Sequence, residues 1–173
     1  MMRMVLAFRD AQGAYLQVVL EMPGDVITLV ELPREFRPPS WFRADGSPKF
    51  RRPLAIIAYA LPGHPKSGFL WECHLDERLL KLGWNKIPDW GGLCWHPRDR
   101  SVLVIYVDDL MMAAISKAVE RHWADIGVEV TFDKDAALVE RYLGGNYTVT
   151  APCSKDENLT REISVDMASY LLN

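Results

Sequence analysis

An α+β fold, with helices packed on one face of an antiparallel sheet, is what this sequence predicts, and three observations carry it. Two apolar runs, Val102–Val107 and Leu110–Met112, stand back to back around Asp108-Asp109, the pattern of a tight β-hairpin. Two stretches with apolar residues at helical spacing, one from Ser67 to Leu82 and one from Ser116 to Ile126, flank that hairpin in the chain. The order is therefore strand, mixed connection, helix, hairpin, helix, strands, an arrangement of the split βαβ kind.

Met4–Phe8 is a short apolar run ending in Arg9-Asp10, a strand that delivers a carboxylate at its end. Val26–Leu32 follows a Pro23-Gly24 turn and reads as a second strand. Residues 33–53 hold five prolines and Gly46, the composition of an irregular connection. Arg34, Arg37, Arg43, Lys49, Arg51 and Arg52 cluster there, in a chain whose formal net charge is −3. A solvated loop and a nucleic-acid contact both fit that cluster. Leu54–Leu61 is a further strand-like run.

Ser67 is placed to cap a helix whose apolar face is Trp71, Leu75, Leu79 and Leu82, with Gly83 as its stop. Gly92–His96 reads as a strand and Pro97–Arg100 as the turn into the central hairpin. Ser116 caps the next helix, Val119, Trp123 and Ile126 mark its buried face, and Gly127 ends it. Val128–Phe132 is strand-like, and Ile163, Met167, Tyr170 and Leu171 suggest a last amphipathic helix running to Asn173.

With 173 residues, 49% of them hydrophobic and 25% charged, the composition is that of one globular domain able to bury a core. No apolar run reaches the roughly 18 residues of a membrane span. Met1–Phe8 is too short for a signal-peptide core. Cys73, Cys94 and Cys153 make an odd number without framework spacing, so reduced thiols in an intracellular compartment are expected. Cys73-His74 and Cys94-x-His96 invite a zinc reading, but neither has the paired spacing of a structural site.

The chemistry concentrates at Asp108-Asp109. Asp suits a turn because its side chain bonds its own backbone. Two adjacent carboxylates repel, however, and no turn requires the pair. A hard divalent cation, which prefers carboxylate and phosphate oxygens, would offset the repulsion.

Tyr106-Val107-Asp108-Asp109 between two hydrophobic strands resembles the catalytic motif of reverse transcriptases in the form typical of copia-type LTR retrotransposons. Asp10, followed by Ala14-Tyr15-Leu16-Gln17, is similar to the first catalytic motif of that family. Leu32-Pro33 with Pro39-Ser40-Trp41, the Leu61-Pro62-Gly63 turn leading to Ser67 and Trp71, and Arg141-Tyr142-Leu143-Gly144-Gly145 extend the likeness to about Gly145. The chain departs from the family where Pro62 replaces the usual Tyr and Lys66 the common Gln.

The resemblance implies a polymerase palm with partial fingers at about 18–66 in a single domain over 1–173, the upstream fingers, thumb and RNase H segment being absent. It implies RNA-directed DNA polymerisation, nucleotidyl transfer from a dNTP to a primer 3′-hydroxyl assisted by two Mg²⁺ or Mn²⁺ ions about 4 Å apart. Asp10, Asp108 and Asp109 would be the catalytic metal ligands. Tyr15, Gln17, Lys66 and Tyr106 would contact the nucleotide, Tyr15 lying under the sugar where its ring would exclude a 2′-hydroxyl. Gly63, Ser67, Leu143 and Gly144 would contact primer or template. The implied partners are an RNA/DNA primer–template, dNTP and other segments of a retrotransposon polyprotein, in a cytoplasmic particle or the nucleus. Two alternatives stay open: an inactive retrotransposon remnant, and a nucleic-acid or protein binding module built on the palm.

Overall fold

The computed structural model describes residues 4–20, 24, 27–138, 140–150 and 163–171. Pro23, Val26, Cys153 and Asn173, which figure in the sequence reading, lie outside the described residues. In chain order the elements are β1 (Met4–Asp10), β2 (Leu29–Glu31), β3 (Leu54–Ile56), α1 (Ser67–Lys81), β4 (Asn85–Lys86), β5 (Leu93–His96), β6 (Ser101–Tyr106), β7 (Asp109–Ile115), α2 (Ser116–Glu129), β8 (Ala137–Leu138), β9 (Arg141–Tyr142), β10 (Gly145–Val149), β11 (Ile163–Asp166) and α3 (Ala168–Leu171). The chain divides into two compact units, one of Met1–Gln12 with Leu75–Asn173, the other of Gly13–His74.

The first unit is α+β. Its main sheet has six strands in the order β4-β5-β6-β7-β1-β8, and every pairing is antiparallel. Alternation decides which face is buried, because successive strand residues point to opposite sides. Leu103 of β6, Met112 of β7 and Ala7 of β1 lie directly opposite one another and are 3% exposed or less, forming one row of the core. Helix α2 turns its buried residues Ala118, Val119, Trp123 and Ile126 inward and packs against β7 and β1. Leu75 and Leu79 of α1 are buried as well, and Arg78 meets Glu129 of α2 at 3.9 Å. The other face of the sheet carries Phe8, Val102, Val104 and Met111, all half-buried. There Phe8 makes an edge-to-face contact with Tyr142, ring centroids 6.1 Å apart.

Three sequence expectations are corrected in this unit. Helix α2 does not stop at Gly127 but runs to Glu129, so Val128–Phe132 is no strand. A mid-helix glycine costs only about 1 kcal/mol, and the Ile126 carbonyl still accepts from the Val130 N–H at 2.9 Å. Ser116 is the first helical residue rather than the cap, since the strand passes into the helix through Ile115. Ile163–Asp166 is a strand, β11, paired with β10 in the sheet β11-β10-β9, and among the described residues that follow it the helical ones are Ala168–Leu171. The β-branched Ile163 and Val165 stand opposite Val149 and Tyr147, a pairing that suits a pleated surface better than a helix.

Hairpin β9–β10 turns through Leu143 (φ 46°) and Gly144 (φ 81°), both in the left-handed region as a type I′ turn demands. Leucine is strained there, while asparagine visits that region readily. Leu143→Asn is expected to stabilise the chain by about 0.5–1 kcal/mol, read as a higher urea midpoint at unchanged slope.

In the second unit β2 pairs with β3, each only three residues long, where longer strands over Val26–Leu32 and Leu54–Leu61 are expected. The register ends because the chain changes partner after Ile57, whose N–H still donates to the Thr28 carbonyl at 3.0 Å. The Leu20 N–H donates to the Ala58 carbonyl and the Ala60 N–H to that of Val18, both at 2.9 Å. The connection between β2 and β3 is irregular, with short 3₁₀ turns at Arg34–Phe36 and Pro39–Trp41. Much of its basic cluster staples the loop itself. Arg37 donates to the Leu32 carbonyl, Arg52 pairs with Glu31, Lys49 donates to the Ser40 carbonyl, and Arg43 reaches Ser47 and Pro48.

Candidate active site

The ends of β1, β6 and β7 bring carboxylates together in the first unit. Asp10 is the last residue of β1, Asp109 the first of β7 and Tyr106 the last of β6. The register sets Asp10 opposite Asp109 and Asp109 opposite Tyr106, so the three form a row across the sheet. Directly opposed residues share a face, and their Cβ atoms stand about 4.5–5.5 Å apart. That face is the half-open one, away from the buried row beneath α2. Asp108 lies beside the row in the turn.

The hairpin tip is Val107-Asp108, not the Asp pair. Asp109 already belongs to the ladder, because a two-residue turn closes between Tyr106 and Asp109. Val107 has φ 56°, a conformation that favours glycine at the first position of such a turn. A β-branched residue held there costs on the order of 1–3 kcal/mol, and strain of that kind collects at functional sites. Backbone bonds fix the turn: the Ala11 N–H donates to the Asp108 carbonyl at 2.8 Å, and the Asp133 N–H donates to the Asp10 carbonyl at 3.0 Å. The Tyr142 hydroxyl makes a long contact, 3.5 Å, with the Asp109 carbonyl.

Charge repulsion is written into the titration of the row. Burial, then the nearby charges of Asp108, Asp109 and Asp133, hold the Asp10 carboxyl above its ordinary range, with Lys134 opposing. Burial and Asp108 raise Asp109 in the same direction. Burial, with Asp109 and Tyr147 nearby, pushes the Tyr142 hydroxyl up to about 12, so it stays protonated. Two further residues thus take part, Asp133, which sequence reasoning did not single out, and Tyr142. Tyr142 is the aromatic of the Tyr142-Leu143-Gly144 motif. Asp133 carries the weaker signal of a carboxylate directly after an apolar stretch.

A pH dependence follows. Asp10 and Asp109 bind protons more readily folded than unfolded, so their contribution to stability is greatest below the ordinary Asp range. It falls as pH rises through their raised folded values. Asp10→Asn is therefore expected to be more stable than the natural chain at neutral pH. That advantage should shrink as the pH is lowered into the carboxylate range, as urea midpoints at several pH values would show.

The remaining candidates fall in two places. Leu143 and Gly144 form the β9–β10 turn. Tyr15, Gln17, Gly63, Lys66 and Ser67 belong to the second unit. Tyr15 and Gln17 lie in a 3₁₀ turn, Ala14–Gln17, and a Cβ added to Gly68 would stand 4.0 Å from the Tyr15 hydroxyl. Gly63 has φ 87°, which its turn requires. The Lys66 N–H donates to Nδ1 of His64 at 3.2 Å. Ser67, expected as a helix cap, is instead the first residue of α1 and is 1% exposed. Its hydroxyl donates to the Leu61 carbonyl at 2.7 Å and accepts the Leu61 N–H at 3.0 Å, so it closes the turn before the helix.

Only hard oxygen donors stand at the carboxylate row, and they come from two separate chain segments. Carboxylate oxygens are the donors that a hard divalent cation prefers. A cleft of about 400 Å³ between β1, α2 and β8 lies elsewhere. It is lined by Val5, Ala7 and Arg9, whose side chains point away from the Asp10 face. Among the described residues no helix is long and apolar enough to cross a membrane, and Cys73 and Cys94 are free thiols. No protein-family model matches the chain, and no curated protein matches its sequence.

Proposed function

We propose that the chain is a palm-type RNA-directed DNA polymerase segment related to the reverse transcriptases of copia-type LTR retrotransposons, acting on an RNA/DNA primer–template and dNTP. The observation that carries this reading is the Asp10–Asp109 pairing. Two motifs nearly a hundred residues apart, matched to the family by their residues, order and spacing, meet in register at one end of two neighbouring inner strands. The strand order supports it as well. Helix α1 lies between β1 and β6 in the chain, α2 lies between β7 and β8, and the four strands run β6-β7-β1-β8. That is the split βαβ order expected of a palm.

In this reading Asp10, Asp108 and Asp109 hold two divalent ions. When bound, such ions activate the primer 3′-hydroxyl and stabilise the leaving pyrophosphate. Asp10 and Asp109 supply carboxylates from opposed strands, and the strained Val107 turn aims Asp108 beside them. The Tyr142 contact steadies Asp109 from the backbone side. By the family resemblance, Tyr15 would be the residue that selects deoxynucleotides. The partners are primer–template, dNTP and other segments of a retrotransposon polyprotein, in a cytoplasmic particle or the nucleus.

The test is template-directed extension by the full chain. Incorporation that requires both the metal and the complementary dNTP supports the reading. A folded chain that incorporates nothing contradicts it and favours the inactive remnant. For the binding module, the engagement of Arg37, Arg43, Lys49 and Arg52 within their own loop leaves less free positive charge than the sequence suggests.

A further inference from the structure

On the helix-covered face of the same unit, a second cluster is built from different donors. His96 ends β5, Asp99 sits in the turn after it, and His122 lies on α2. One donor atom from each comes within 4.8 Å of the other two. We propose that His96, Asp99 and His122 form a binding site for a borderline transition-metal ion of the zinc class, separate from the carboxylate row.

Two of the three donor separations suit it, and the third is no more than 4.8 Å. Nδ1 of His96 is 3.2 Å and Nε2 of His122 is 3.3 Å from Oδ2 of Asp99. Donors held at about 2.0–2.1 Å from one tetrahedral ion stand roughly 3.3 Å from each other. Both nitrogens are buried, yet neither makes a hydrogen bond of acceptable geometry, so their proximity to Asp99 is not a satisfied donor–acceptor pair. His122 is 3% exposed, and a buried ring nitrogen without a partner is costly to keep unless something binds it.

The surroundings favour neutral imidazole. Burial first, then the neighbouring His96 and Arg121, bring the His122 ring down to about 4, so its lone pair is available at neutral pH. Burial works against the Asp99 carboxylate, but the hydrogen bond and charge of Arg121 act the other way and hold the group below its ordinary range. Arg121 donates to Oδ2 of Asp99, the same oxygen that lies near both histidines, and holds the carboxylate in place. Trp84 packs on both rings, 5.3 Å from His96 and 4.8 Å from His122 between centroids, giving the apolar shell typical of a metal centre. Ser101, opposite His96 in the ladder, is wholly buried with an unpartnered hydroxyl. Two imidazoles with one carboxylate select zinc or cobalt over magnesium, which takes oxygen ligands. The Cys94-x-His96 pair noted in the sequence contributes its histidine; Cys94 is not among the converging donors.

The metal-stripped full chain would be titrated with Co²⁺ and followed by visible absorption, then challenged with Zn²⁺. The strong bands of a four-coordinate Co²⁺ ion, saturating at one such ion per chain and displaced by Zn²⁺, are the expected result. His96→Gln and Asp99→Asn should each weaken binding tenfold or more, while Cys94→Ser and Asp108→Asn leave it unchanged. In the unmutated chain, Zn²⁺ should shift the ring NMR signals of two of the four histidines, a readout independent of how the variants fold. Absence of those bands and shifts, or binding that survives both His96→Gln and Asp99→Asn, would overturn the assignment and leave a packed aromatic cluster around Trp84.

Discussion

Replacing Asp10 by Asn is expected to lower nucleotide incorporation on the order of 10³-fold while making the folded chain more stable at neutral pH. The loss reflects a carboxylate that metal ions require, an effect of several kcal/mol in a reaction where about 1.4 kcal/mol is tenfold. The gain in stability comes from the other side of the same feature. In the absence of cations Asp10 is raised by burial and by Asp108, Asp109 and Asp133, so neutralising it removes repulsion. A purely structural Asp10 would move both quantities down together. Steady-state incorporation and urea denaturation of the same preparation separate the two cases.

Leu103→Ala should cost about 2–5 kcal/mol, whereas Val104→Ala, one residue on, should cost about 1 kcal/mol or less. Leu103 is fully buried in the row with Met112 and Ala7, and truncating it opens a cavity between the sheet and its helices. Val104 points to the half-open face that carries the Asp10–Asp109 row and loses only part of its contacts. Equal costs at the two positions would mean that both faces are covered and the carboxylates are not presented to solvent. Denaturant midpoints for the two variants give the answer, and the contrast between them matters more than either value.

The central hairpin, the strand ending at Asp10 and the two amphipathic helices were legible in the sequence because their periodicity and their burial coincide. Met112, Leu103 and Ile126 are where a period of two or of 3.6 puts them. Ends of elements were less legible. Gly127 reads as a stop yet sits inside α2, and Ser67 and Ser116 read as caps yet are first helical residues, because tertiary contacts outweigh local preferences of about 1 kcal/mol. Ile163–Asp166 reads as helix from its spacing, but its β-branched residues pair with β10, a partner no local window contains.

The two side-chain clusters differ in the same way. Asp108-Asp109 announces itself by adjacency, and Asp10 by its place at the end of an apolar run. Their meeting in register, and the addition of Asp133, depends on strand pairing. His96, Asp99 and His122 come from a strand end, a turn and a helix, and only the packing of α2 over the sheet brings them together. Spacing rules for metal sites address ligands close in sequence, so they draw attention to His96 through Cys94-x-His96 but not to Asp99 or His122.

Primer extension on an RNA template tests the central claim most directly. The folded full chain, supplied with Mg²⁺ or Mn²⁺ and all four dNTPs, would be compared with its Asp108→Asn, Asp109→Asn double variant. The account predicts metal-dependent extension by the natural chain and none by the double variant. Extension by both would contradict the assignment of these carboxylates, and extension by neither, from chains shown to be folded, would contradict polymerase activity in this chain.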